Sequence, residues 1–411
     1  MNIKLQRMLD RWAGVPVCFL LSLWDKLLGT RVAATQPKKV LVILLSEMGS
    51  LVLAQPMFAR LKQKYPGVSI YMLMFGKNRE ILELTGAVPA DHIIALNDRQ
   101  LGPFLLDCLR AIKRLRVERF DVVIDCEMFA RTSSIFSRLS GAPLRVGFHP
   151  LTQEGLYRGG YINRPVPYNP YRHLSQQLLT LVEAIDSTLY PCSKIPVPAP
   201  PLHVPQLAIS EQELQQKASI LHDTFPAVRG KRLILVYPGG GILPIRAWPA
   251  GYYKLLCRTL IEDGYAVGLI GLKEDKPLAT EIVAHCRHDN CVDLTGYTGS
   301  IRHLLALFFR AELLITNDGG PAQFSALTPV YSMVFFGPET PQLYGALSEK
   351  SWNFFEGYPC SPCLTAYNHR NSPCDGDNRC ISSISPERVL NKAHEILQIS
   401  RTATTRSLEN A

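Results

Sequence analysis

Residues 314–327, LITNDGGPAQFSAL, read as the end of a buried strand, a glycine-rich turn and the entry of a helix. The apolar run stops at Thr316, and Asn317-Asp318-Gly319-Gly320-Pro321 follows. Asn or Asp ahead of Gly-Pro is a helix-entry signal. A strand that feeds such a turn presents backbone N–H groups to an anion, usually a phosphate. Many α/β crossovers share this outline, so the stretch needs a partner. It has one upstream, where the apolar strand 233–237 runs into Pro238-Gly239-Gly240-Gly241.

Working outward, the same alternation fills most of the chain. Around the two turns lie strands at 266–270 and 291–294 and helices at 276–286 and 300–310. Nearer the N-terminus, strand 40–45 leads into the turn Ser46-Glu47-Met48-Gly49-Ser50 and a helix over 51–64. Strands at 69–75, 91–96, 122–125 and 144–148 follow, with helices at 103–117 and 132–139. Strand, helix, strand repeated in this way is a parallel, doubly wound α/β sheet. The segment PCSKIPVPAPPLHVP from Pro191 is a stiff connector between two such halves. The expected division is an N-terminal segment 1–37, a first Rossmann-like domain 38–190 and a linker 191–209. A second such domain 210–350, a Cys-rich insert 351–384, a last helix 385–399 and a disordered tail 400–411 complete it. Ligands of such sheets bind beyond the carboxyl ends of the strands, here in the cleft between halves.

A chain of 411 residues suits two domains, and 47% hydrophobic with 19% charged residues argues against disorder or a repeat array. The net charge of +9 favours an anionic partner. No nucleic-acid-binding motif is present, so nucleic acid is not the expected one. Residues 1–39 hold seven basic and two acidic side chains around the apolar run VPVCFLLSLW, 15–24. That run is about half the ~20 residues of a spanning helix. Trp12, Trp24 and Lys26 suit an amphipathic segment on an anionic membrane face. Packing on the protein's own body, or a signal or span, are the rivals.

Several ordered motifs resemble glycosyltransferase family 9, the lipopolysaccharide heptosyltransferases. In the second half these are YPGGG…RAWP (237–249), DLTGYTGSIRHLLALFFRAELLITNDGGPAQFSAL (293–327) and FFGPETP (335–341). In the first half they are LVILLSEMGSLVLAQPMFARLKQKYP, DVVIDCEMFARTSSIFSRLSGAPLRVGF and the helix at His173. The resemblance implies the GT-B architecture, two Rossmann-like doubly wound domains facing a central cleft. It also implies an inverting, metal-independent transfer of a heptose or related sugar from a nucleotide-diphosphate donor. An ADP-sugar is expected ahead of a UDP- or GDP-sugar. The acceptor would be a lipid-linked saccharide such as lipopolysaccharide core, at the cytoplasmic face of the inner membrane. A catalytically degenerate nucleotide-sugar or glycolipid binder of the same fold is the alternative.

Without a metal, the leaving diphosphate needs cations and helix ends. The candidate donor-binding residues are Gly239, Gly240, Gly241, Arg246, Glu274, Asp318, Gly319 and Gly320. Arg246 stands where the family has a lysine, and its fork suits a diphosphate. Gly319 replaces the family's usual threonine and Gln323 its usual histidine. The largest departure is Ser50, at the position of the family's catalytic aspartate. Glu47 is then the candidate base, with Ser50 beside it, against the rival of a capping or solvated carboxylate. Gly49, Arg131 and His149 are candidate acceptor contacts, with a purely structural role the alternative for Arg131 and for His149.

The tail carries Cys360, Cys363, Cys374 and Cys380, with His369 among them. Two close thiol pairs in a loop-rich insert fit a structural zinc. Disulfides, an iron–sulfur cluster and free thiols stay open, and no cofactor for catalysis is expected.

Overall fold

Continuous apolar runs become the central strands of two parallel sheets in the computed structural model, which describes residues 3–28, 36–45, 47–128, 130–148, 157–198, 201–365 and 370–409. The chain divides into Met1–His203 and Val204–Ala411, a boundary inside the proline-rich connector.

The first unit holds β1 (Lys39–Ile43), β2 (Ser69–Phe75), β3 (Ile93–Leu96), β4 (Val122–Asp125), β5 (Leu144–Phe148) and β6 (Arg164–Val166). They line up as β3-β2-β1-β4-β5-β6, every neighbouring pair parallel. The second unit holds β7 (Leu233–Tyr237), β8 (Ala266–Gly271), β9 (Cys291–Thr295), β10 (Ala311–Asn317), β11 (Tyr331–Phe335) and β12 (Ser351–Phe354). Its order is β12-β11-β10-β7-β8-β9. Counted from each unit's first strand, both sheets read 3-2-1-4-5-6, the order of dinucleotide-binding folds. The order reverses between β1 and β4 in one unit, and between β7 and β10 in the other. Beyond the carboxyl ends of those strands is where such sheets bind ligands.

Three boundaries differ from the sequence reading. β12 completes the second sheet at 351–354, so the second Rossmann-like domain runs past 350 and the insert starts later. The last helix, Pro386–Glu409, continues into the expected disordered tail. It sends Val389, Ala393, Ile396 and Leu397 into the core of the second unit with Tyr253, Leu256 and Leu260. Its Leu397 carbonyl also accepts from Arg232 at 3.1 Å.

The N-terminal segment forms two helices, Ile3–Trp12 and Gly14–Leu28, fastened to the first unit. Asp10 accepts from the backbone N–H of Arg131 and of Thr132, each at 2.9 Å, and from the Thr132 hydroxyl. It thereby satisfies the orphan donors at the start of the Arg131–Leu139 helix. Asp25 pairs with Arg138 at 2.8 Å and with the buried Arg145 at 3.1 Å. Cys18 and Leu21 pack with Tyr161 against Ile135 and Leu139. Packing on the protein's own body is therefore realised for one face of this segment. No helix among the described residues is long and apolar enough to cross a membrane.

Candidate active site

In the second unit the two glycine-rich turns are locked together by one side chain. Asn317, fully buried at the end of β10, donates its amide to the carbonyls of Pro238 (3.1 Å) and Gly239 (2.9 Å). Its Oδ1 accepts from the Trp248 backbone N–H at 2.9 Å and the Tyr253 hydroxyl at 3.0 Å. The parallel register Thr316↔Tyr237 brings these groups together. Each such bond contributes about 0.5–1.5 kcal/mol net, and an orphaned buried partner costs about 1–3 kcal/mol. The clamp therefore sets the conformation of the Pro-Gly-Gly-Gly turn. Sequence reading quoted Asn317 as a helix-entry residue and missed this role.

The turn itself needs glycine. A Cβ on Gly240 would stand 2.8 Å from the Leu243 oxygen, and Gly241 has φ +60°. Asp275, on the turn after β8, lies against Gly239 and Gly271 and accepts from the Leu272 N–H at 2.8 Å. Burial, with Asp275 nearby, pushes the Tyr237 hydroxyl up to about 12. Glu274, the candidate ribose ligand, is exposed on that turn. The carboxylate packed against the glycines is its neighbour Asp275.

Arg246 is held by two carboxylates. Its terminal nitrogen donates to Glu339 at 2.8 Å, and its Nε lies 3.7 Å from Asp318. Glu339, from the quoted FFGPETP motif, is 1% exposed and the Arg246 side chain 14%. A second cation, Arg370, approaches the same carboxylate at 3.5 Å from within the Cys-rich insert and lies over the Tyr344 ring. Neither Glu339 nor Arg370 was singled out from the sequence. Gly319 and Gly320 open the Gly320–Ser325 helix, only six residues long, so the arginines supply most of the positive charge here. Gln323 is buried, its amide donating to the Tyr344 carbonyl at 2.6 Å.

In the first unit Glu47 and Ser50 come together. Glu47 stands at the N-cap of the Met48–Leu53 helix, which also carries Gly49, but its side chain makes no cap bond. It accepts instead from the Ser50 hydroxyl at 3.0 Å. A second carboxylate lies near this turn. The buried Glu127, just past β4, accepts from the Leu45 N–H at 2.7 Å, and Asn78 donates to the Leu45 carbonyl at 2.8 Å. Arg131 does not serve as an open acceptor contact. It is buried, with Nε on the Tyr157 carbonyl at 2.9 Å and a terminal nitrogen 3.3 Å from Asp10. His149 lies outside the described residues.

All eleven cysteines are free thiols. Cys360, Cys363, Cys374 and Cys380 share a neighbourhood: burial, then the other three thiols, push Cys380 up to about 11. Cys363 lies 3.1 Å from the Ser372 hydroxyl. Among the described residues no three His, Cys, Asp or Glu side chains are placed to hold a metal ion. His369 lies outside them.

A profile of glycosyltransferase family 9 (heptosyltransferase) matches residues 108–372. The lipopolysaccharide heptosyltransferase 2 of Salmonella typhimurium is 25% identical over 374 residues, spanning 87% of this chain and 98% of that one. The structure of the Escherichia coli ADP-heptose lipopolysaccharide heptosyltransferase II superposes with a TM-score of 0.69 at 22% identity, over 88% of this chain and 99% of that one. The E. coli heptosyltransferase WaaC with ADP gives 0.61 at 15% identity, over 87% and 99%. At these identities the structural likeness is one of fold, and the fold is GT-B.

Proposed function

The chain belongs to glycosyltransferase family 9, and from that premise we propose that it transfers a heptose from an ADP-heptose donor to a lipid-linked saccharide of the lipopolysaccharide-core type. The observation that carries this reading is Arg246, set between Glu339 and Asp318 beside the glycine turn that Asn317 clamps. There a donor diphosphate meets the guanidinium fork together with the turn's backbone. Arg370 adds a second cation, so the leaving ADP is stabilised by side chains without a metal. Glu274, exposed beyond β8, is within reach of a ribose hydroxyl. Glu47 takes the acceptor proton, Ser50 orients that carboxylate, and a single displacement inverts the anomeric carbon.

The N-terminal helices hold the enzyme on the inner face of the cytoplasmic membrane, where such acceptors sit. Trp12, Phe19, Leu20, Leu23, Trp24 and Leu27 all face outward and exposed. Arg11 and Lys26 are exposed beside them, the pattern of a helix pair lying on anionic lipid. Ser50 in place of the family's aspartate favours a second reading, a donor or glycolipid binder without turnover.

The test is thermal shift with nucleoside diphosphates, followed by transfer from ADP-heptose to a truncated core acceptor. A ligand that binds the folded state alone raises the melting midpoint. A selective ADP shift with sugar transfer supports the enzyme, and a shift without transfer supports the binder. No shift with any nucleotide overturns both.

A further inference from the structure

We propose that the Leu101–Glu118 helix is a second membrane-contact element, lying in one layer with the N-terminal helices so that both press their outer faces onto the same anionic bilayer. The inference rests on the membrane reading of the N-terminal helices given above.

Leu101–Glu118 and Arg131–Leu139 pack on one face of the first sheet, and Gly14–Leu28 packs against the flank of Arg131–Leu139. The inner side of Leu101–Glu118 packs through Ala111 and Leu115 into a cluster that includes Phe136 of the Arg131–Leu139 helix. On the flank of that middle helix, Ile135 and Leu139 receive Cys18 and Leu21 of Gly14–Leu28. The middle helix is largely buried between its neighbours. Both outer helices keep large apolar side chains exposed, Phe19, Leu20 and Leu23 on one and Leu105, Leu106 and Leu109 on the other.

The outer face of Leu101–Glu118 is not that of a solvated helix, which would carry charge there. Leu101, Leu105, Leu106 and Leu109 are 44%, 54%, 48% and 66% exposed. One turn further along, the same stripe becomes basic, with Arg110, Lys113 and Arg116 exposed. Arg119, just past the helix, is exposed as well. The helix's two acids are already engaged, Asp107 with Arg110 and Glu118 with Lys39. Leucines for the acyl boundary flanked by cations for headgroups is the arrangement of an interfacial helix. A second copy of this chain is a poorer occupant. A twofold contact would set the same basic rim against itself, where like charges repel.

The test is co-sedimentation of the full chain with phosphatidylcholine vesicles containing phosphatidylglycerol, and with phosphatidylcholine alone. Leu105→Ser/Leu109→Ser and, separately, Phe19→Ser/Leu23→Ser are each expected to weaken binding to anionic vesicles by at least about tenfold, with melting midpoints unchanged. Arg110→Glu/Lys113→Glu is expected to weaken binding to the anionic vesicles alone. If the Leu105/Leu109 and Arg110/Lys113 variants bind as wild type while the Phe19/Leu23 variant is released, the second contact is overturned and the N-terminal reading stands. If the wild-type chain binds neither vesicle, both fall. A wild-type dimer that the Leu105/Leu109 variant splits would make a second copy the occupant and overturn the proposal.

Discussion

The side-chain amide of Asn317 donates to the carbonyl of Gly239 at 2.9 Å, tying the turn after β10 to the turn after β7 where the strand order reverses. The first unit has a counterpart, since Glu127 beyond β4 accepts from the Leu45 N–H beyond β1. In both sheets a buried polar side chain at or just past the end of the fourth strand bonds to the turn after the first. Replacing Asn317 by Asp keeps the shape but turns a donor into an oxygen that faces two carbonyls. Orphaning those two carbonyls costs about 2–6 kcal/mol, a fall of roughly 4–24 °C in midpoint for a unit of this size. Asn317→Asp is expected to lower the midpoint in that range and to weaken ADP binding more than tenfold. Calorimetric melting and ADP titration check the two effects separately.

Arg246 is both a proposed diphosphate ligand and the counter-charge of Glu339. Arg246→Ala leaves two mostly buried carboxylates without their main cation, a loss of about 3–5 kcal/mol for a buried pair. Arg246→Ala combined with Glu339→Gln removes one of those two uncompensated charges, so it is expected to regain part of the lost stability without regaining ADP affinity. Arg246→Lys keeps the charge but not the fork, and is expected to bind ADP about tenfold more weakly with little change in melting. If the double variant binds ADP as tightly as the wild type, Arg246 is a structural residue.

The central strands were legible because a strand buried on both faces is a continuous apolar run, as at 40–45, 233–237 and 313–316. The edges were not. β6 is three residues containing a proline, β12 is half exposed, and Tyr331 and Ser332 interrupt the apolar pattern of β11. Glycine turns and Arg246 could be read because their chemistry is local. Asn317, Glu127, Glu339 and Arg370 act across strands or loops distant in sequence, and parallel register or loop packing is needed to show what they face. Membrane-facing and body-packed are not exclusive for the N-terminal helices, because a helix has two faces. Asp10, Asp25 and Cys18 lie on the docked one.

Two carboxylates flank the first turn of the first unit, and their bonding separates the roles proposed for them. Glu47 is half-buried and engaged by the Ser50 hydroxyl, whereas Glu127 is buried and accepts from a backbone N–H. Glu47→Gln is expected to cut turnover by about 10²–10⁴-fold while ADP binding is retained. Glu127→Gln still offers an oxygen to the Leu45 N–H, so a loss below tenfold is expected. Ser50→Ala should fall between them. Single-turnover transfer rates decide the matter, and a larger loss for Glu127→Gln would move the base to that residue.

Asp10 reaches from the first N-terminal helix to cap the Arg131–Leu139 helix and to pair with buried Arg131. Asp10→Ala removes the cap, costing about 0.5–2 kcal/mol, and leaves the Arg131 cation with less compensation. Asp10→Asn retains acceptor oxygen for the cap but not the charge. The expected order of melting midpoints is wild type, then Asp10→Asn, then Asp10→Ala, with ADP affinity in the second unit unchanged throughout. Amide exchange over residues 131–139 should quicken in the same order, since fraying begins where the orphan N–H groups lie. Equal protection in all three proteins would mean that the other contacts of the N-terminal helices, those of Asp25, Ser22 and Tyr161 among them, hold this helix start without Asp10.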